Sequence, residues 1–348
     1  MSDPDLLAGL LQAPEVTEII VDGPDRVYAV RHGRLEDVPE RFDGAEQLLA
    51  AVRALIAPHG AAFDAASPIV NLRLPDGSQL SAVAPPLCAE GPSLIIRKNV
   101  GRRVSAEQLV GYGSWTPEIV SFLRACVAAG INILVSGGVA SGKTTVMNLL
   151  CEMIPPAQRV ISVEETRELQ FERRRLLALE ARRPDALGRG GVGVAELVEQ
   201  ALRMMPERII VGELRGAEIW PLLSAMNTGH SGSMALLHAT SPRDALGRLE
   251  IMATSAEPST PLLNVRAQLA SAFDLIVQVN RLAGGERRVT HLTEVAGMER
   301  EALALRDIVR YEQSEDGAGR FVATGHRPTT FLERFAHKGV AMPEELFG

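Results

Sequence analysis

The stretch Ile131-Asn132-Ile133-Leu134-Val135-Ser136-Gly137-Gly138-Val139-Ala140-Ser141-Gly142-Lys143-Thr144 decides how this chain is read. An apolar run of strand length, Ile131–Val135, ends in a glycine-rich turn. The turn closes on Gly-Lys-Thr, and a helix is expected to start near Lys143. The spacing is that of a phosphate loop, G-x-x-x-x-G-K-[ST], in the strand–turn–helix setting such a loop requires. Glycines let the backbone curl tightly and aim its N–H groups at phosphate oxygens. The helix behind adds the positive end of its dipole. Residues Gly137, Gly138, Val139, Ala140, Ser141, Gly142, Lys143, Thr144 and Thr145 are thus the predicted nucleotide-binding set. Lys143 is placed to reach the β- and γ-phosphates, and the Thr144 hydroxyl to hold Mg²⁺. Only three lysines occur in the chain (Lys98, Lys143 and Lys338), so a lysine at this position is not background usage.

Outward from the loop, helical stretches alternate with short apolar runs from about Thr116 onward. The runs are Ile131–Val135, Val160–Val163, Arg208–Val211, Ser233–His238 and Leu275–Val279. This alternation predicts an α/β domain with a mostly parallel sheet. Ligands of such sheets bind outside the carboxyl ends of the strands, which is where the loop falls. A hairpin is expected around Ala283-Gly284-Gly285, and a strand over Arg288–Val295. The first hundred residues read differently. A short helix (Asp5–Leu11), a hairpin across Asp22-Gly23-Pro24-Asp25 and a helix over Ala45–Ala57 come first. A second hairpin across Pro75-Asp76-Gly77-Ser78 and a strand at Ser93–Arg97 follow. The expected organisation is a smaller α+β domain over residues 1–103, a linker over 104–115 and the α/β domain carrying the phosphate loop over 116–348.

Composition removes several classes. A net charge of −7 over 348 residues argues against a general nucleic-acid binder. Aromatics at 4% leave few platforms for stacked bases. Cys88, Cys126 and Cys151 show no C-x-x-C spacing, so they read as thiols in a reducing compartment. The start Met-Ser-Asp-Pro-Asp lacks the basic region of a secretory leader, and no apolar run approaches membrane-spanning length. A cytoplasmic protein is expected, with any membrane association passing through a partner.

Hydrolysis needs carboxylates beside the phosphates. Two acidic sites fall where strands end: Glu164-Glu165 after Val160–Val163, and Glu213 after Arg208–Val211. A solvated loop acid is the alternative for each. His238 ends the apolar run Ser233–His238, and by position alone it reads as a core or strand-edge histidine. His230 lies in a glycine-bracketed turn without meaning of its own. The segment Arg167–Arg189 carries seven arginines and reads as a solvated helix and loop face, or as a contact for anionic groups. Gly188–Gly193 has no strand before it and reads as a flexible connection.

The order of these motifs resembles the type II/type IV secretion ATPase superfamily. Its carriers here are Gly137–Thr144, Ile161–Glu165, Leu202–Gly216 and Asn227–Thr240. The first-domain phrases Glu18–Pro24 and Leu74–Ser78 add to them. The branch it looks most like is the tight-adherence (Tad/Flp) pilus assembly ATPases. The resemblance implies a PAS-like first domain, a RecA-like ATPase domain over 116–348 and a Mg²⁺-dependent ATPase working as a homo-hexameric motor. ATP would lie between a first domain and the phosphate loop, and the motion would be handed to an inner-membrane platform protein for pilus assembly or secretion. It casts Glu164 as the residue that polarises water, with Glu165 beside it. Glu213 organises Mg²⁺ together with Thr144, and His238 senses the γ-phosphate. Arg97 reaches the phosphates from the first domain, and Arg203 and Arg208 are possible arginine fingers. Two departures stand out. The acidic box reads Glu164-Glu165 where relatives usually have Glu-Asp, and Gln79 stands where an arginine often follows Asp-Gly-Ser. A type IV secretion or conjugation ATPase is the nearest alternative. A DNA-dependent RecA-type motor and a nucleotide switch without sustained turnover are the others.

Overall fold

The computed structural model describes residues 4–31, 34–98, 104–182, 184, 188–313 and 319–347. The chain divides into two compact units, Met1–Arg102 and Arg103–Gly348.

The first unit is built on a six-stranded antiparallel sheet. Its strands are β1 (Val16–Asp22), β2 (Val27–Arg31), β3 (Arg34–Asp37), β4 (Ile69–Arg73), β5 (Gln79–Val83) and β6 (Ser93–Arg97), in the order β3-β2-β1-β6-β5-β4. One face is covered. Val16, Ile19 and Val21 of β1 and Leu94 and Ile96 of β6 pack with Leu48, Val52 and Ile56 of the helix Ala45–Ile56. Two-residue alternation along each strand produces that one-sided burial. The β4–β5 turn is tied by Asp76, whose Oδ1 accepts from Ser78 N at 2.9 Å, and by Gly77 at φ 87°. This sets β5 so that Gln79 pairs with Arg97 across the sheet.

The second unit carries nine strands: β7 (Ile133–Gly137), β8 (Val160–Glu164), β9 (Leu176–Glu180), β10 (Arg208–Val211), β11 (Met234–His238), β12 (Leu275–Arg281), β13 (Arg287–Glu299), β14 (Ala302–Gln313) and β15 (Gly319–Ala323). Their order is β15-β14-β13-β12-β7-β11-β10-β8-β9. The run from β12 to β9 is parallel throughout, and β12 to β15 is antiparallel. Helices cover both faces, as an apolar parallel sheet requires. Ile133 and Val135 of β7 turn to the side of helices Pro117–Ala129 and Lys143–Met153. Leu134 turns to the side of helices Val194–Leu202, Ile219–Asn227, Pro242–Ala256 and Leu262–Ala272.

Three expectations change. The predicted linker over residues 104–115 belongs to the second unit and contains a helix, Ala106–Gly111, closed by a Ser105–Gln108 capping box. Trp115 anchors it: the indole is buried and donates to Ala106 O at 3.0 Å, so tertiary burial outweighs the polar composition that suggested a linker. The arginine-rich segment is not a helix face. It contains β9, an edge strand pairing in parallel with β8, because Leu176-Leu177-Ala178-Leu179 has a sheet edge to join. The tail beyond Asp307, without a readable pattern, completes β14 and supplies β15 and the helix Leu332–His337. It is clamped by Glu294, whose Oε1 accepts from Thr329 N at 2.6 Å and Thr330 N at 2.7 Å, while His326 Nε2 lies 2.6 Å from Oε2.

Candidate functional site

The predicted phosphate loop leaves the central strand and enters its helix with the geometry the glycines foretold. Gly142 sits at the helix N-cap with φ 100°. A Cβ on Gly137 would run into the Val279 carbonyl oxygen and the Ser141 hydroxyl, so that position tolerates only glycine. Ala140, not a glycine, also takes a left-handed φ of 55°. Its carbonyl accepts from Arg287 Nε of β13 at 3.0 Å, an external prop for a strained crest. The Ser141 hydroxyl is buried with no hydrogen-bonding partner among the described residues.

Lys143 is 7% exposed, and its Nζ donates to Gly138 O at 2.7 Å. Burial pulls its pKa down, opposed by the charges of Glu213 and Glu168. Nζ also lies 3.2 Å from Nδ1 of His238. An ammonium can only donate, so Nδ1 accepts and the ring proton sits on Nε2. Nε2 in turn lies 2.6 Å from Glu213 Oε1, an ion-pair approach rather than an aligned hydrogen bond. Burial and the neighbouring Lys143 hold the imidazole pKa below its ordinary value, against the pull of Glu213, so the ring is neutral near pH 7. Sheet topology makes this line of contacts: β11 pairs directly with β7, setting His238 opposite Gly137. Position alone suggested a core histidine; the register places it on the phosphate loop's lysine.

Glu213 leaves β10 one strand further out. Its Oε2 accepts from Arg215 Nε at 2.9 Å and Nη2 at 2.6 Å. Arg215 Nη1 donates to Glu165 Oε2 at 2.6 Å. Glu164 behaves differently from its neighbour. It is 3% exposed, and its Oε1 accepts from Glu168 N at 2.9 Å and Leu169 N at 3.0 Å. Burial raises its pKa, offset in part by those two amides. Gly212 makes room for it, since a Cβ there would stand 2.6 Å from Glu164 Cγ.

The other nominated residues lie elsewhere. Arg97 is on β6 of the first unit, mostly exposed, with Nε 3.1 Å from Glu18 Oε1. Arg203 follows the helix Val194–Leu202 and is exposed. Arg208 cannot be a finger. It is 1% exposed at the amino end of β10, the end away from the phosphate loop. There it donates to Gln158 Oε1 at 2.7 Å, Val127 O at 2.7 Å and Gly232 O at 3.4 Å. His230 likewise precedes β11, at the strand end opposite His238. Arg215, Arg287 and Tyr112 were not foreseen. Arg215 stands inside the Leu202–Gly216 motif, but its partner Glu165 follows from the pairing of β10 with β8. Tyr112 and Leu109 line a cleft of about 280 Å³ together with Gly142, Thr145, Val146 and Val289.

As to ions, no cluster of three or more His, Cys, Asp or Glu suited to a metal occurs among the described residues. The Thr144 hydroxyl and the Glu213 carboxylate are hard oxygen donors, the kind Mg²⁺ prefers, and would fit that ion with phosphates completing its shell. The buried, partnerless Ser141 hydroxyl and the crowded Gly137 fit a loop built around a phosphate.

Fold and site together define a P-loop nucleotide-hydrolysing domain of the secretion type. The family model described as "Type II/IV secretion system protein" matches residues 2–308. The chain belongs to that family, and it is an ATPase of the secretion class. A putative conjugal transfer protein of Mycobacterium tuberculosis is 31% identical over 331 residues, covering 89% of this chain and 94% of that protein. The type IV secretion system protein PtlH of Bordetella pertussis is 36% identical over 247 residues, 64% of this chain and 73% of PtlH. Among solved structures, the pilus retraction motor PilT matches with a TM-score of 0.60 at 14% identity, over 99% of this chain and 88% of that one. The Legionella pneumophila ATPase DotB matches with a TM-score of 0.57 at 16% identity, over 84% and 80%. At those identities the structures speak for the fold.

Proposed function

We propose that the chain is a Mg²⁺-dependent ATPase motor acting as a homo-hexamer on the cytoplasmic side of a bacterial inner membrane, driving pilus assembly or secretion through a membrane platform protein. The observation that carries the site reading is the line Gly138–Lys143–His238–Glu213 at the carboxyl ends of adjacent strands. Among the described residues no helix is long and apolar enough to cross a membrane, which agrees with docking through a partner. The tight-adherence pilus branch is the reading the motifs favoured. The Mycobacterium relative, matched along most of both chains, favours conjugation or type IV secretion as the second reading.

In this reading the β- and γ-phosphates take the loop amides and Lys143, and the base enters the cleft between Tyr112 and Val289. Mg²⁺, held by Thr144 and Glu213, would neutralise charge building on the phosphate oxygens. Water attacks the γ-phosphorus, the bridging oxygen leaves with ADP, and the water's proton passes to Glu164. Burial has already made that carboxylate more basic than usual. His238, neutral and touching Lys143, is placed to register whether the γ-phosphate is present. Arg97 keeps the phosphate role that the resemblance implies. As an exposed side chain, its replacement by alanine should change stability by no more than about 0.5 kcal/mol while lowering turnover. The direct test is steady-state MgATP hydrolysis by purified protein, with mass measured in solution. A monomer that hydrolyses nothing would sink the reading.

A further inference from the structure

Arg215 is not needed to bind phosphate in the scheme above, yet it holds both acidic motifs together. Its guanidinium puts Nε and Nη2 on Glu213 and Nη1 on Glu165, with 64% of the side chain open to solvent. The backbone under it is fixed separately: Glu218, buried, accepts from the amides of Arg215 and of Gly216, the latter at 2.8 Å. A pinned backbone with an exposed side chain lets the guanidinium move without moving the loop. The Glu213 carboxylate it grips also approaches His238, and through His238 it is linked to Lys143. A guanidinium and a divalent cation compete for the same oxygens.

We propose that Arg215 is a positioning residue that stands in for the divalent cation. While the loop holds no nucleotide, its charge neutralises Glu213 and Glu165. With Mg-nucleotide bound, Glu213 would serve the metal and Arg215 would keep its contact with Glu165. Glu165 explains itself in this arrangement. An aspartate there would fall about 1.5 Å short, one carbon–carbon bond, of the 2.6 Å contact that retains the guanidinium. The proposal rests on the nucleotide reading of the site but concerns only how the cation gains access to it.

The consequence is a change in how strongly nucleotide affinity depends on magnesium. Removing Arg215 takes its positive charge away from Glu213 and Glu165, which weakens binding of the anionic nucleotide without metal. It also removes the competitor for Glu213, which strengthens binding with metal. The experiment is titration of the full chain with a fluorescent ADP analogue, in MgCl₂ and in EDTA, for wild type, Arg215→Ala, Arg215→Lys and Glu165→Gln. The ratio of the EDTA to the magnesium dissociation constant should rise about fivefold in Arg215→Ala, the scale of a well-aligned, partly exposed ion pair. Arg215→Lys should restore part of it, since a point charge serves one carboxylate and cannot bridge two. Glu165→Gln should lower the ratio, since a guanidinium without that carboxylate to retire onto competes harder for Glu213. A rise of less than twofold in Arg215→Ala, or a fall, overturns the proposal: a fall would mean that Arg215 assists the metal. Thermal melting of each variant separates these outcomes from misfolding, and Glu165→Gln serves as the second probe. Wild-type protein that binds the analogue in neither buffer would instead break the nucleotide reading itself.

Discussion

Arg208 and Arg215 lie seven residues apart in one motif and at opposite ends of one strand. Arg208, at the amino end of β10, is buried among backbone carbonyls and a glutamine, and burial draws its pKa down to about 10. Arg215, beyond the carboxyl end, is exposed, gripped by two carboxylates and raised in pKa by its hydrogen bond to Glu213. Each end also spends a glycine on a charged neighbour. A Cβ on Gly212 would meet Glu164 Cγ at 2.6 Å, and one on Gly232 would meet the Arg208 guanidinium carbon at 2.6 Å. The comparison teaches that one end of the sheet uses charge to lock the fold. The other end keeps its charges in pairs that a ligand can rearrange. Two arginines of one motif therefore cannot be assigned one role from their proximity in sequence.

The sharpest break between the two ends should come from Lys143→Ala, expected to lower ATP turnover by about 100-fold or more with little change in melting temperature. Equal turnover in that variant would mean that the carboxyl end is not the working end. Arg208→Met should do the reverse. It takes the guanidinium donors away from Val127 O, Gly232 O and Gln158 Oε1, with Val127 O keeping the Gly130 amide, and should cost about 3 kcal/mol in denaturant unfolding, while the folded fraction retains its nucleotide affinity. Loss of affinity with unchanged stability would restore Arg208 as a finger. Next in size is the pair Gly212→Ala and Gly232→Ala. Both should destabilise by about 2 kcal/mol through overpacking, but only Gly212→Ala should also lower turnover, by displacing Glu164.

The smallest effect concerns Glu164, and its sign is the informative part. Its pKa in the folded protein is raised by burial, so folding disfavours the charged carboxylate. That costs nothing at low pH and appears as pH rises through the raised value. Glu164→Gln keeps an acceptor for Glu168 N and Leu169 N. It should therefore raise the melting temperature at pH 8, with the gain fading as pH falls toward about 4, while turnover drops. A melting temperature lower than wild type at pH 8 would show the charge to be stabilising and the base role unsupported.

The sequence by itself determined a good deal. The phosphate loop, its strand and helix, the hairpins of the first unit and the acids at strand ends are local patterns of spacing and apolar periodicity, and such patterns are written in consecutive residues. Family order placed His238 among the functional candidates where its own surroundings suggested a core histidine. What only the tertiary structure decided are the contacts set by strand order. His238 reaches Lys143 because β11 lies beside β7. Glu165 reaches Arg215 because β8 lies beside β10. The stretch 104–115 joins the second unit because Trp115 finds a buried seat. Arg208 left the list of candidates for the same reason. Which strand comes next depends on long-range pairing, and no window of sequence around the residue contains that pairing.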